Sequence, residues 1–264
     1  MSDFLQSMAT SSAARAAAAG TFSARDFDKP VVPLTLCGFD VIAEIKDRSP
    51  AEGELKVAGG DRCARASEYA AGGAAAISVL TEPSRFDGAL EHLAEVAAAV
   101  PDTPVMRKDF LVEPVQILEA RKAGASGVLL ITAMLSDAKL REMLDCAWEH
   151  DLFVLLESFD EDDLGRSSAL LNGPVDADRA QQGQLLFGVN TRNLRTLEVD
   201  ADRLKTLAAL LPAGHCVAES GLLVPADAAR VAEWGYTVAL VGTALMRSDD
   251  PQALVAAMRK AGAR

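Results

Sequence analysis

The chain has 264 residues, half of them hydrophobic and only 5% aromatic, with 26 basic against 38 acidic side chains and a formal net charge of −12. That length suits a single α/β domain, and so large an apolar fraction excludes a disordered chain. The acidic balance speaks against non-specific nucleic-acid binding, which depends on lysine and arginine neutralising phosphates, and against docking on anionic lipid.

The first forty residues differ from the rest. SSAARAAAAG (11–20) predicts a short Ala-rich helix stopped by Gly20, after which Pro30 and Pro33 break the chain into a linker-like approach. From Phe39 the pattern becomes regular. Strands are expected at 39–46, 75–81, 104–110, 127–131, 152–158, 185–190, 215–220 and 237–242, with amphipathic stretches between them. Gly72, Gly124 and Gly235 stand where helix C-caps are expected. Eight strand–helix alternations predict parallel strands joined by helices, and eight is the number that closes a barrel. The expected fold is therefore α/β, a single (β/α)8 TIM barrel over 39–264 with a short N-terminal helical extension over 1–38. An open doubly wound sheet is the rival, but its G-x-G-x-x-G turn is missing, because the first strand runs into KDRSPAEG.

Cys37, Cys63, Cys146 and Cys216 are scattered, with no short CxxC spacing. Neither a zinc site nor a disulfide framework is expected, and a reduced, cytoplasmic setting is. The chain opens without a basic region followed by a sustained apolar one. No uncharged apolar run approaches the roughly 18 residues of a membrane span.

The informative charges sit at the ends of otherwise apolar strands. Glu44 and Lys46 end the first, Lys108 and Asp109 the third, Glu157 the fifth, and Glu219 and Ser220 the seventh, while Asn190 and Arg192 close the sixth. In a parallel barrel all these ends surround one mouth, and Glu44 and Lys46, two apart, project to the same side. Converging carboxylates and lysines need mutual pairing or a charged ligand. A structural ring of salt bridges satisfies that demand, and so does a site for proton transfer on a charged substrate. Ser220-Gly221 and Gly242-Thr243 follow strands seven and eight, whose loops commonly hold phosphate in barrels. Asp109, on the face opposite Lys108, reads as a structural partner. His92, His150 and His215 fall away from the mouth and receive no role.

These residues resemble the indole-3-glycerol phosphate synthase family over roughly 39–250. The likeness rests on VIAEIKDRSPAEG (41–53), SVLTEPSRFDG (78–88), PVMRKDFLVEPVQILEARKAGASGVLLI (104–131), GVNTRNLRTLEVD (188–200), VAESG (217–221) and ALVGTALMR (239–247). The resemblance implies an enzyme that converts 1-(o-carboxyphenylamino)-1-deoxyribulose 5-phosphate to indole-3-glycerol phosphate, carbon dioxide and water in tryptophan biosynthesis, with neither metal nor organic cofactor. It implies Lys108 as general acid, Lys46 as partner of the substrate carboxylate, Glu157 as proton carrier in dehydration and Glu44 as the group that orients the lysines. How Lys46 and Lys108 divide the acid role stays open. Asn190, Arg192 and Glu219 are implied to hold the ribulose part. Ser49, Ser220, Gly221, Gly242 and Thr243 are implied around the phosphate or carboxylate, and Phe86, Phe110 and Leu194 around the anthranilate ring.

The expected partner is an anionic small molecule, with no nucleic acid and no membrane; a monomer is expected, with contact to other tryptophan-pathway enzymes as the remaining possibility. Two alternatives compete: a non-catalytic or specialised paralogue that binds phosphorylated metabolites, and another sugar-phosphate barrel enzyme in which Lys108 forms a Schiff base. The chain departs from the family at Ala51 and Glu52, where a serine and a basic residue are usual, and at Thr243, where serine or glutamate is commoner. The N-terminal extension is short and divergent. NGPVDADRAQQGQ (172–184) reads as an insertion on the face opposite the mouth.

Overall fold

Short runs of branched and aliphatic side chains, each too short to stand alone as a sheet, pair edge to edge until no edge is left. The structure, a computed structural model, describes residues 3–49, 53–55, 61–196 and 198–263. Its eight main strands are β1 (Asp40–Ile45), β2 (Ala76–Leu80), β3 (Val105–Lys108), β4 (Gly127–Ile131), β5 (Phe153–Ser158), β6 (Leu185–Asn190), β7 (His215–Glu219) and β8 (Val238–Val241). All pair in parallel in chain order, and β1 closes the ring by pairing with both β2 and β8. Every strand residue except Lys108 and His215 is buried, as strands covered on both faces require. The eight strands lie within the eight predicted segments.

Helices occupy the crossovers, among them Arg62–Ala71, Leu90–Ala99, Pro114–Ala123, Asp137–Glu149 and Pro225–Glu233, and Pro251–Gly262 follows β8. Pro114, Pro225 and Pro251 open their helices, where the missing N–H costs nothing. Gly124 and Gly235 take the left-handed conformation at helix ends, whereas after Ala71 it is Gly73 rather than Gly72 that does so. The crossover from β6 to β7 is the lean one, with only Arg203–Thr206 and a single 3-10 turn among the described residues. Residues 172–184 contain the helix Pro174–Gln181, which ends just before β6 begins and so at the rim opposite the strand C-termini.

The N-terminal helix runs over Asp3–Ala17, beginning well before the alanine-rich segment and stopping short of Gly20. Alanine signals helix propensity, but what docks this helix is an upstream stripe. Leu5, Met8, Ser12 and Ala16 fall on one face and are all buried. Ser12 accepts a 2.8 Å hydrogen bond from Gln116 Nε2, and Arg15 forms two bonds, at 2.8 and 2.9 Å, with Asp109.

Candidate active site at the C-terminal rim

The strand ends meet around a cavity of about 680 Å³. Glu44, Lys46, Ser49, Phe86, Lys108, Phe110, Glu157, Asn190, Arg192, Leu194, Glu219, Ser220, Gly221, Gly242 and Thr243 all line it, so the structure brings every predicted site residue together. Ala51 and Glu52 lie outside the described residues.

At the cavity floor, Lys108 Nζ stands 3.5 Å from Glu157 Oε2, 3.8 Å from Glu219 Oε2 and 3.9 Å from Glu44 Oε2. Lys46 Nζ lies 2.9 Å from Glu44 Oε1, as two residues on the same side of β1 can. Asn190 Nδ2 donates to Glu157 Oε1 at 3.1 Å. Strand pairing sets this convergence, since Asn190 lies opposite Glu219 and Glu157 opposite Gly188. Gly242 leaves room here for close approach. A Cβ at that position would fall 2.4 Å from Glu44 Oε1 and 2.9 Å from Lys46 Nζ.

Electrostatics sort these groups. Burial pulls Lys108 toward its neutral form, but Glu157, Glu44 and Glu219 together push its pKa above the ordinary value. At such separations an ammonium–carboxylate attraction amounts to roughly 4 kcal/mol at an effective dielectric near 20, which opposes the desolvation of the ammonium. Lys108 is therefore held as an ammonium at the cavity wall. Burial raises the Glu44 carboxyl, yet Lys46 and Lys108 hold it below its usual value. Glu219 goes the other way. Burial, with Glu157 beside it, pushes its carboxyl well above the ordinary range.

Two backbone features face the same cavity. Ser220 and Gly221 are successive left-handed residues, at φ of 67° and 78°. Gly242 caps the short helix Thr243–Arg247. Ser220, Gly221, Gly242 and Thr243 all line the cavity. The opposite wall is aromatic, with Phe86 and Phe110 ring centroids 6.2 Å apart and Phe4 meeting Phe110 edge-on at 5.9 Å.

Asp109 is a structural hub, as its position predicts. It accepts from Arg15, Thr81, Arg107 and the Phe110 N–H. His92 and His150 lie on or just after helices, and His215 opens β7 at the far rim. Sequence reasoning missed Phe4, Arg85, Leu129, Ile131, Thr191, Val199 and Leu240, which also line the cavity. Leu129 and Ile131 share a side of β4 at its C-terminal end, a signal that alternation along that strand contained. Among the described residues, no group of three or more His, Cys, Asp or Glu is arranged to hold a metal ion.

Comparison with known proteins gives a consistent result. The family model described as indole-3-glycerol phosphate synthase matches residues 9–258. A protein of that name from Nocardioides sp. is 46% identical over 237 residues, covering 88% of this chain and 86% of the relative. Another from Salinibacter ruber is 40% identical over 226 residues, covering 85% and 79%. Among solved structures, 3-hexulose-6-phosphate synthase from Salmonella typhimurium superposes with a TM-score of 0.63 at 15% identity, covering 84% of this chain and 98% of that one. Tryptophan synthase subunit alpha from Legionella pneumophila gives 0.54 at 16%, covering 84% and 92%. At such identities these structures show a shared fold alone.

Proposed function

The chain belongs to the indole-3-glycerol phosphate synthase family, and from that premise we propose how its rim performs the reaction of a decarboxylating lyase of tryptophan biosynthesis. The substrate is 1-(o-carboxyphenylamino)-1-deoxyribulose 5-phosphate. Its aromatic carbon attacks the ribulose ketone, carbon dioxide leaves from that carbon, and loss of water then gives indole-3-glycerol phosphate. One observation carries the assignment of roles: the Lys108 ammonium faces the cavity with three glutamates within 4 Å.

In this reading Lys108 protonates the ketone oxygen as the ring closes. Lys46, just past the end of β1, pairs with the substrate carboxylate, while Glu44 keeps both lysines charged and oriented. Glu157, fixed by Asn190, moves the proton lost in dehydration. The turns at Ser220-Gly221 and Gly242-Thr243 hold the phosphate, with Ser49 beside them. Phe86, Phe110 and Leu194 hold the aromatic ring, and Asn190, Arg192 and Glu219 the ribulose part. Positioning of the two reacting ends supplies several kcal/mol of the barrier. The N-terminal helix belongs to the catalytic unit, since Phe4 lines the cavity. Four free cysteines support a reducing, cytoplasmic setting.

The Schiff-base alternative needs a neutral amine at Lys108, and the neighbouring Glu157 and Glu44 favour the opposite. The deciding experiment mixes purified protein with the carboxyphenylamino-deoxyribulose phosphate and follows indole fluorescence. Product formation is expected; its absence at micromolar enzyme, or borohydride trapping of a lysine adduct, would overturn the reading.

A further inference from the structure

The loop after β6 leaves the barrel at Asn190 and folds back on itself. Asn193 N donates to Glu198 O at 2.9 Å, Arg192 and Val199 form an antiparallel bridge, and Asp200 N donates to Thr191 O at 2.9 Å. Arg203 fixes the stem by donating to the carbonyls of Asn190 (3.2 Å) and Thr191 (2.7 Å). Arg192 and Leu194, two apart, line the cavity.

Arg195 instead crosses to the end of β5. Its guanidinium pairs with Asp160 and, at 2.6 Å, with Asp163, and lies 5.8 Å from the Phe159 ring centroid. Both carboxylates are already built into the chain there. Asp160 caps the helix Glu161–Ala169 by accepting from Asp163 N at 2.9 Å, and Asp163 accepts from Phe159 N at 3.2 Å. Phe159 follows the strand end that carries Glu157. One side chain therefore ties the loop bearing Arg192 and Leu194 to the strand bearing Glu157.

We propose that Arg195 is a positioning residue for substrate binding, a latch that holds the tip of the β6 loop so that Arg192 and Leu194 stand ready in the cavity. The proposal rests on the functional reading above. Without the latch, the ordering entropy of the loop tip is charged to substrate binding, while the lysine–glutamate cluster on the strands is untouched. KM rises and kcat does not.

The test uses the full chain. Arg195→Met is expected to raise KM for the carboxyphenylamino-deoxyribulose phosphate about tenfold, with kcat within about twofold. Arg195→Lys should fall between, because an ammonium meets the two carboxylates less well than a guanidinium fork. Asp160→Asn keeps the helix cap, for which Asn serves as well as Asp, yet weakens the latch, so combining it with Arg195→Met should add little. Without substrate, amide exchange in 193–196 should quicken in Arg195→Met while β5 and β6 stay unchanged. An unchanged KM, unchanged exchange, or faster exchange spreading through β5 would overturn the latch. Failure of the wild type to turn over this substrate, with the localised exchange change present, would overturn the substrate reading and support the latch.

Discussion

Gly188 and Glu219 compete for one volume: a Cβ on Gly188 would lie 2.1 Å from Glu219 Oε1 and 3.1 Å from Leu155 Cδ1. The third glutamate of the cluster therefore owes its place to a missing side chain on the neighbouring strand. Gly188→Ala is expected to push Glu219 out of line. Overpacking of this kind costs about 1–3 kcal/mol, and misplacing a group near the chemistry by about 1 Å can cost about 10²-fold in rate. Thermal unfolding and kcat/KM of the variant check both. A variant with near wild-type turnover would show that the position of Glu219 does not matter to catalysis.

Lys108→Ala removes the ammonium that three buried carboxyl groups share. Loss of a general acid alone lowers kcat about 10²–10⁴-fold, and here the glutamates also lose the cation that keeps them in register. Turnover should vanish in steady-state assays while circular dichroism still reports the barrel. Lys46→Ala, by contrast, should act chiefly on KM. Equal kcat losses in both variants would mean that the two lysines share the acid role.

Glu219 links activity to stability through pH. Its pKa is raised in the folded protein by burial and then by Glu157, so folding favours its protonated form. That contribution is fully present below the ordinary value of 4.5 and is lost as pH rises from there through the folded-state value. Glu219→Gln imitates the protonated form and should gain melting temperature over the wild type as pH rises, while losing turnover. Melting curves between pH 4 and 9 test the sign, and a gap that narrows with rising pH would contradict it.

How much of this could be read in the chain depended on what each residue leaves in a linear pattern. Strand periodicity is a local signal, so all eight strands, and the charges that end them, were legible; Glu157 stands out because nothing else ionisable interrupts its run, and Lys108 because its run is apolar up to the charges at its end. Gly188 was not legible as a site residue, because its contribution is space on a neighbouring strand. Arg195 was hidden for another reason. Its meaning lies in Asp160 and Asp163, more than thirty positions earlier, and only the adjacency of β5 and β6 brings them together. Phe4 stands outside the repeating unit altogether, so no alternation flagged it. The N-terminal helix was misplaced in register because alanine propensity is visible locally, whereas the stripe at Leu5 and Met8 has meaning only against the barrel.

That helix is anchored to the barrel by a partly buried ion pair. Arg15 and Asp109 are joined by two hydrogen bonds, at 2.8 and 2.9 Å, with the Asp109 side chain fully buried. Burial raises the Asp109 carboxyl, but Arg15 and Arg107 together bring it below its ordinary 3.8. A depressed carboxylate stabilises the fold above its unfolded-state value, and that contribution is lost as pH falls through the folded-state value. In Arg15→Ala, Asp109 keeps Arg107 at 3.2 Å, Thr81 at 2.8 Å and the Phe110 N–H at 2.8 Å, so the barrel should fold, with a loss of about 1–2 kcal/mol. Its acid unfolding midpoint should move to higher pH, because less of the depression remains to be overcome. The same change loosens the helix that carries Phe4 onto Phe110 and into the cavity. Phe4→Ala and Arg15→Ala should therefore each raise KM several-fold and combine less than multiplicatively, since both act through one aromatic contact. Multiplicative effects in that double-mutant cycle would mean that the ion pair and the aromatic wall act separately.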